Sequence, residues 1–478
     1  MSSSSKGSQS NSVIKFGSDG YRGIIGDGFT FDILTRLCRA LAKFLLERGS
    51  PLEIILGYDR RFMADSFAHY AAGYWESLGG IARVSEHPLS SPTLAWQTNH
   101  LGVSMGVMIT ASHNPPEYLG FKLKEPFGGS ALPDVQARMS ELASAEPPAY
   151  ASFPPGYVHA KRFDPLEGYL QAIQAEFGAL GNAFGSPGLL FDFMNGSAAD
   201  IAPPALKKMR IAADFIRDNR DPLFGGQSPE PIPGKLTALR KSVISRGYQA
   251  GFAFDGDGDR LAVFDELGNP IGSHELFSLF LLHLANFRKE SGRAVGTISF
   301  SRIVDRVASS VGMPLLKVPV GFKHLSAEFA SGGVAIGGEE SGGCGFGFWL
   351  PERDALVMAL LLLEIMKETG KPLSALRSDL QTEFGPLHFR RSDVPFGEVG
   401  GYDRLASNLR GRNSFGGLEI ENLQIQDGLM FNLANDSWIL FRLSGTEPVA
   451  RVYAESPDES AAEALIADAA SLLAAMQY

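Results

Sequence analysis

The chain is short of cysteine, of long apolar runs and of clustered positive charge, and each shortage removes a class of protein. Two cysteines in 478 residues, Cys38 and Cys344, cannot build a disulfide framework and show no metal-ligand spacing, which fits a reducing compartment. No uncharged stretch approaches the about 18 apolar residues of a membrane-spanning helix. The Ser-rich segment 1–12 lacks the apolar run of a signal peptide and reads as a disordered tail on a cytoplasmic protein. Lys and Arg form no runs and the net charge is −10, so neither nucleic acid nor a membrane is an expected partner, although a few focused arginines could still bind a small anion. What remains is ordinary globular material, 44% hydrophobic and 20% charged. At about 150 residues per domain the length suggests three or four domains.

Pattern divides the chain in the same way. Ile33, Leu34, Leu37, Leu41 and Leu45 recur at helical spacing between Thr30 as N-cap and Gly49 as stop. Short apolar runs at 54–56, 81–84 and 105–110 alternate with helical stretches, as in an α/β unit. A Pro-rich stretch, 146–156, marks a boundary, after which the alternation restarts, and a third unit begins near Gly272. Beyond 418, four strand-like runs and a helix near 461–475 make an α+β unit. The expected organisation is a tail at 1–12, α/β domains at 13–150, 151–270 and 271–385, and an α+β domain at 386–478.

Four segments carry chemistry. In Asp255-Gly256-Asp257-Gly258-Asp259-Arg260, after a predicted strand, three carboxylates at alternate positions can converge on one hard cation, and Mg²⁺ with an open position for a phosphate ester fits. A solvated acidic turn is the plain alternative, but carboxylates this close repel unless neutralised. An EF-hand would need glycine where Arg260 stands. Thr110-Ala111-Ser112-His113-Asn114-Pro115 follows a buried strand, where active-site residues gather. A phosphorylated Ser112 beside a divalent cation would be a phosphoryl reservoir. Glu339-Glu340-Ser341 within a glycine-rich loop offers groups suited to sugar hydroxyls, or is simply a turn. Arg442-Leu443-Ser444-Gly445-Thr446 can surround a phosphate with a guanidinium, hydroxyls and turn amides.

Together these segments, from Phe16-Gly17-Ser18-Asp19-Gly20-Tyr21-Arg22-Gly23 to Ser444-Gly445-Thr446-Glu447-Pro448, resemble the α-D-phosphohexomutase superfamily in order and spacing over nearly the whole chain. The resemblance implies a heart-shaped molecule of three similar α/β domains with mixed sheets plus a C-terminal TATA-binding-protein-like α+β domain, each giving one loop to a central cleft. It implies that Ser112 carries the phosphoryl group, with His113, Lys122 and Arg22 as catalytic neighbours and Lys122 a general acid/base candidate. Asp255, Asp257 and Asp259 would bind one Mg²⁺ per chain together with phosphorylated Ser112. Arg260, Lys323, Glu339 and Ser341 would meet the sugar phosphate, while Arg442, Ser444, Gly445 and Thr446 hold the phosphate that is not reacting.

The departures bear on specificity. Glu340 resembles phosphoglucomutases, whereas dual-specificity phosphomannomutases usually show Glu-Met-Ser-Gly-His, with histidine where Gly343 stands; the Ser444 loop also occurs in phosphoglucosamine mutases. The expectation is a phosphoglucomutase, monomeric or homodimeric, with glucose 1,6-bisphosphate as activator and mannose phosphate as a second substrate. Phosphomannomutase, phosphoglucosamine mutase, a hydrolase using the same phosphoserine and a non-catalytic sugar-phosphate binder are the competing readings.

Overall fold

The computed structural model describes residues 13–17, 19–148, 161–181, 183–185, 188–396, 402–409, 411–443 and 448–476. The expected tail, the boundary at 150 and the loop residues Ser444, Gly445 and Thr446 lie outside them.

Among the described residues, four sheets organise the chain. The first runs in the order Tyr21–Ile24, Tyr118–Lys124, Met105–Ile109, Glu53–Tyr58, Ile81–Ser85, Lys161–Phe163. Its last four strands are parallel and its first two antiparallel. Lys161–Phe163 joins it from beyond position 150. The second orders Pro270–Ile271, Leu261–Asp265, Ala250–Phe254, Leu189–Asp192, Ala213–Ile216, and the third Leu315–Val318, Arg293–Thr297, Val334–Glu339, Gly343–Phe346. Each again pairs parallel strands with an antiparallel neighbour. The fourth sheet is antiparallel throughout and carries the helix Glu459–Ala475, whose Leu465, Ala469 and Leu473 join Phe431, Phe441 and Val452 in one core.

One plan places the chemistry. In each of the first three sheets a fully buried parallel strand, Met105–Ile109, Ala250–Phe254 or Val334–Glu339, turns back into its antiparallel neighbour. Those turns contain Ser112, the three aspartates and Ser341. Burial on both faces makes the strands apolar throughout, which is why pattern alone found them.

The neighbours were harder to read. Tyr118–Lys124 buries Lys122 against Asp19 and Asp257 and Lys124 against Glu352, so its inward face does not look apolar. The helix Ser91–His100, capped by Ser90 on Thr93 N, has little amphipathic contrast, so no helical period marks it in the sequence. A continuous core including Met108, Phe191, Phe252, Phe277 and Leu361 joins the second and third units to one face of the first. The helix Ala355–Thr369 is buried on nearly every side, held at its start by Asp354 on Leu356 N and Val357 N. No helix among the described residues is long and apolar enough to cross a membrane.

Candidate active site

Beyond the strand Met105–Ile109, the Thr110 hydroxyl donates to Asp59 Oδ2 (2.5 Å) and accepts from Ser112 N (2.9 Å). Buried Arg61 then holds the loop by its carbonyls, donating to Ser112 O (2.6 Å), Asn114 O (2.7 Å), Pro115 O (2.7 Å) and Tyr118 O (3.1 Å), with Asp59 3.2 Å from its Nε. This grip keeps Ser112 at φ +53°, a left-handed conformation. For a residue with a side chain that conformation costs about 1–2 kcal/mol. In it, Ser112 Oγ donates to Asp255 Oδ2 (3.0 Å) and lies 3.4 Å from His113 Nδ1. Arg22 closes the loop by donating to Asn114 Oδ1 (2.5 Å).

The aspartate loop approaches so closely that a Cβ on Gly256 would stand 2.4 Å from Ser112 O, so glycine is required there. Asp255, Asp257 and Asp259 are wholly buried, and one oxygen from each lies within 4.8 Å of the others. Asp255 Oδ1 accepts from Asp259 N (2.9 Å) and Arg260 N (3.2 Å), while Asp257 Oδ2 accepts from Ser91 Oγ (2.5 Å) and Lys122 Nζ (2.8 Å). Asp257 Oδ1 and Asp259 Oδ1 are left without a hydrogen-bond partner. Burial, then the charges of Asp259 and Asp257, push the Asp255 carboxyl well above its ordinary range. Orphaned buried carboxylate oxygens and mutual repulsion are what a divalent cation would relieve, so the residues fit Mg²⁺.

Lys122 lies 2.7 Å from Asp19, 2.8 Å from Asp257 and 3.5 Å from Asp259. Burial alone would discharge it, but these carboxylates hold its pKa above the usual lysine value. His113 is the reverse: burial, then Arg260, Arg22, Lys122 and Arg353, press its pKa down and keep it neutral.

Arg353 links the aspartate loop to Glu339. Its guanidinium lies 2.7 Å from Asp259, 2.9 Å from Asp19 and 3.3 Å from Glu339. Burial raises the Glu339 carboxyl to about 7 against the opposing effect of Arg353. A Cβ at Gly343 would stand 2.4 Å from Arg353 Cδ, so Arg353 takes the space in which a side chain at 343 would begin. Glu340, by contrast, turns its carboxylate to Ser299 Oγ (2.7 Å) and Thr297 Oγ1 (3.2 Å).

The structure thus gathers Ser112, His113, Lys122, Arg22, the three aspartates, Arg260 and Glu339 around one centre. Arg442 and Lys323 form a separate group, with Arg442 Nε donating to Asp427 (2.8 Å) and both Arg442 and Asp427 acting on the Lys323 charge. Residues 444–446 of that loop lie outside the described residues. Sequence reasoning passed over Arg61, Ser91 and Arg353. Of these only Arg353 left a signal, as one of three charged residues, Glu352-Arg353-Asp354, set against the apolar run that follows.

A serine seated on a buried carboxylate triad, with Lys122, Arg22 and Arg353 beside it, is equipped for phosphoryl transfer. The comparisons agree. Family models for phosphoglucomutase/phosphomannomutase α/β/α domains I, II and III and the C-terminal domain match residues 13–148, 167–268, 273–384 and 408–472. The chain belongs to this family of the α-D-phosphohexomutase superfamily, whose members are Mg²⁺-dependent isomerases that act by phosphotransfer.

It is 27% identical over 450 residues to a phosphoglucomutase/phosphomannomutase of Thermococcus kodakarensis, covering 94% of this chain and 95% of that one. It is 27% identical over 464 residues to a phosphoglucosamine mutase of Moorella thermoacetica, covering 95% and 97%. A crystal structure from Thermus thermophilus, named for phosphomannomutase, is 33% identical with a TM-score of 0.84, covering 97% of this chain and 99% of that one.

Proposed function

We propose that the protein is a phosphoglucomutase that interconverts glucose 1-phosphate and glucose 6-phosphate through phosphoserine at Ser112 and a glucose 1,6-bisphosphate intermediate, with mannose phosphate as a second substrate. The observation that carries this is the placement of Ser112 Oγ, 3.0 Å from Asp255 Oδ2 at a triad with two orphaned oxygens.

A hexose hydroxyl attacks the phosphorus of phosphorylated Ser112, the bond from phosphorus to Oγ breaks, and the proton of the hydroxyl returns to Oγ by way of neutral His113. Lys122 and Arg22 offset the charge on the phosphoryl oxygens. Asp255, Asp257 and Asp259, with an oxygen of the phosphoserine, would hold one Mg²⁺, which supplies a fixed positive charge at the same place. Glu339 and Ser341 take ring hydroxyls, beside Arg260, while Lys323 meets the substrate from the side of Arg442, which with Ser444, Gly445 and Thr446 holds the distal phosphate. The bisphosphate then turns over, exchanging its two phosphates. Glucose 1,6-bisphosphate from outside would activate the enzyme by phosphorylating Ser112.

A second reading, phosphoglucosamine mutase, rests on relatives of that name that match nearly end to end. The preference for glucose rests on Glu340, whose carboxylate is engaged by Ser299 and Thr297, and on Gly343, beside which Arg353 takes the space of a side chain. A coupled assay with Mg²⁺ and each hexose 1-phosphate separates the readings. The proposal expects the highest kcat/KM for glucose 1-phosphate and loss of turnover on chelation; a preference for the glucosamine or mannose ester would replace it.

A further inference from the structure

The turn between the strands Leu418–Ile425 and Leu429–Leu433 reaches from the fourth unit onto the third. At its tip, Asp427 Oδ2 accepts from Arg442 Nε (2.8 Å) and from Val320 N (2.9 Å). Its neighbour Gln426 donates to Lys317 O (3.4 Å). The turn is fixed from behind, because Gly428 sits at φ +137° where a Cβ would stand 2.5 Å from Phe441 O. Val320 packs against a small core in which Ile298 of the third sheet unit meets Trp438, Leu440 and Tyr453 of the fourth. Three positions beyond Val320 is Lys323, whose charge is influenced by Arg442 and Asp427.

One carboxylate oxygen therefore joins the guanidinium expected on the distal phosphate to the backbone just ahead of the helix Phe322–Ser331, which carries Lys323 in its first turn. A bond to Nε fixes the plane of a guanidinium and leaves both terminal nitrogens free to bind a phosphate in the fork geometry. We propose that Asp427 is a positioning residue for the distal phosphate. It aims Arg442 and sets it in register with the start of the helix that carries Lys323, across the boundary between the third and fourth units. The inference rests on the mutase reading, which puts a phosphate against Arg442.

The test is a double-mutant cycle on the full chain with Asp427→Ala, Arg442→Ala and the pair. Affinity for glucose 1,6-bisphosphate is measured by calorimetry, alongside kcat and KM for the preferred hexose 1-phosphate. Loss of one hydrogen bond to a charged group corresponds to roughly a tenfold change or more. Asp427→Ala should weaken the bisphosphate and raise KM on the order of tenfold, with the smaller effect on kcat. The pair should bind no more weakly than Arg442→Ala alone, because Asp427 acts through Arg442, and Asp427→Asn, which keeps an accepting oxygen, should recover much of the loss. Multiplying effects in the pair, or unchanged affinity in Asp427→Ala, would overturn the inference. A wild-type enzyme that binds the bisphosphate yet interconverts no hexose phosphate would overturn the mutase reading while the binding cycle still decides the role of Asp427.

Discussion

Ser112 owes its backbone conformation to Arg61, 51 positions earlier in the chain. Four carbonyl oxygens of the loop converge on that guanidinium, and Lys in its place could neither span them nor stay flat against Phe224, which lies 4.9 Å from the Arg61 guanidinium carbon. Arg61→Lys should therefore lower kcat on the order of a hundredfold, since each misaligned contact at a reacting centre is costly, while KM changes little. Steady-state kinetics checks this, and a kcat within a factor of about three of wild type would show that the loop holds itself. Residues such as Arg61 are hard to find in a sequence because a charged pair at a strand end has no period, and the four carbonyl oxygens that Arg61 holds lie more than 50 positions away. Ser112 and the aspartate triad were legible for the opposite reason, as short strings whose chemistry depends on adjacent residues.

At the scale of elements, the strands leading into the site were readable because burial on both faces leaves an uninterrupted apolar run. The antiparallel strand Tyr118–Lys124 was not, since its two inward lysines are balanced by Asp19, Asp257 and Glu352 from elsewhere in the chain. Such pairing exists only after folding. The helix Ser273–His283 carries a related feature. His274 is buried between the edges of Phe300 and Phe389, its Nδ1 accepts from Ser301 N (3.3 Å), and burial lowers its pKa to about 4. The unfolded chain therefore takes up this proton first as pH falls. The His274 contribution to stability is complete above the unfolded pKa near 6.5 and is lost progressively toward 4. Thermal melts from pH 8 to 4 should show a shallower acid decline in His274→Asn than in wild type, referenced to each protein at pH 8; parallel declines would mean that His274 is not the titrating group.

The whole molecule is tied together by buried charge as well as by apolar contact. Lys124 and Glu352, both fully buried, meet at 2.6 Å between the first and third units, while Arg60 bonds Asp200 (2.7 and 3.0 Å) between the first and second. Removing one partner of a fully buried pair costs about 3–5 kcal/mol because the other is left charged and dry. Glu352→Ala should destabilise by that amount, and adding Lys124→Met should restore much of it. Denaturant unfolding of the two variants checks this, and equal stability of single and double variants would contradict it. Near the Lys124 and Glu352 contact, Lys122, two residues along the same strand, and Arg353, next to Glu352, share the carboxylates of Asp19 and Asp259, so the junction that stabilises the fold also ties the aspartate loop to its neighbours.

The central claim, that phosphoryl passes through Ser112, is tested most directly by intact-mass and peptide mass spectrometry of the protein with Mg²⁺ and glucose 1,6-bisphosphate. One phosphoryl group should appear on the Ser112 peptide and disappear when glucose 1-phosphate is added, as bisphosphate or glucose 6-phosphate forms, with Ser112→Ala neither labelled nor active. Sustained turnover by Ser112→Ala, or by a wild-type enzyme never phosphorylated at Ser112, would contradict the account.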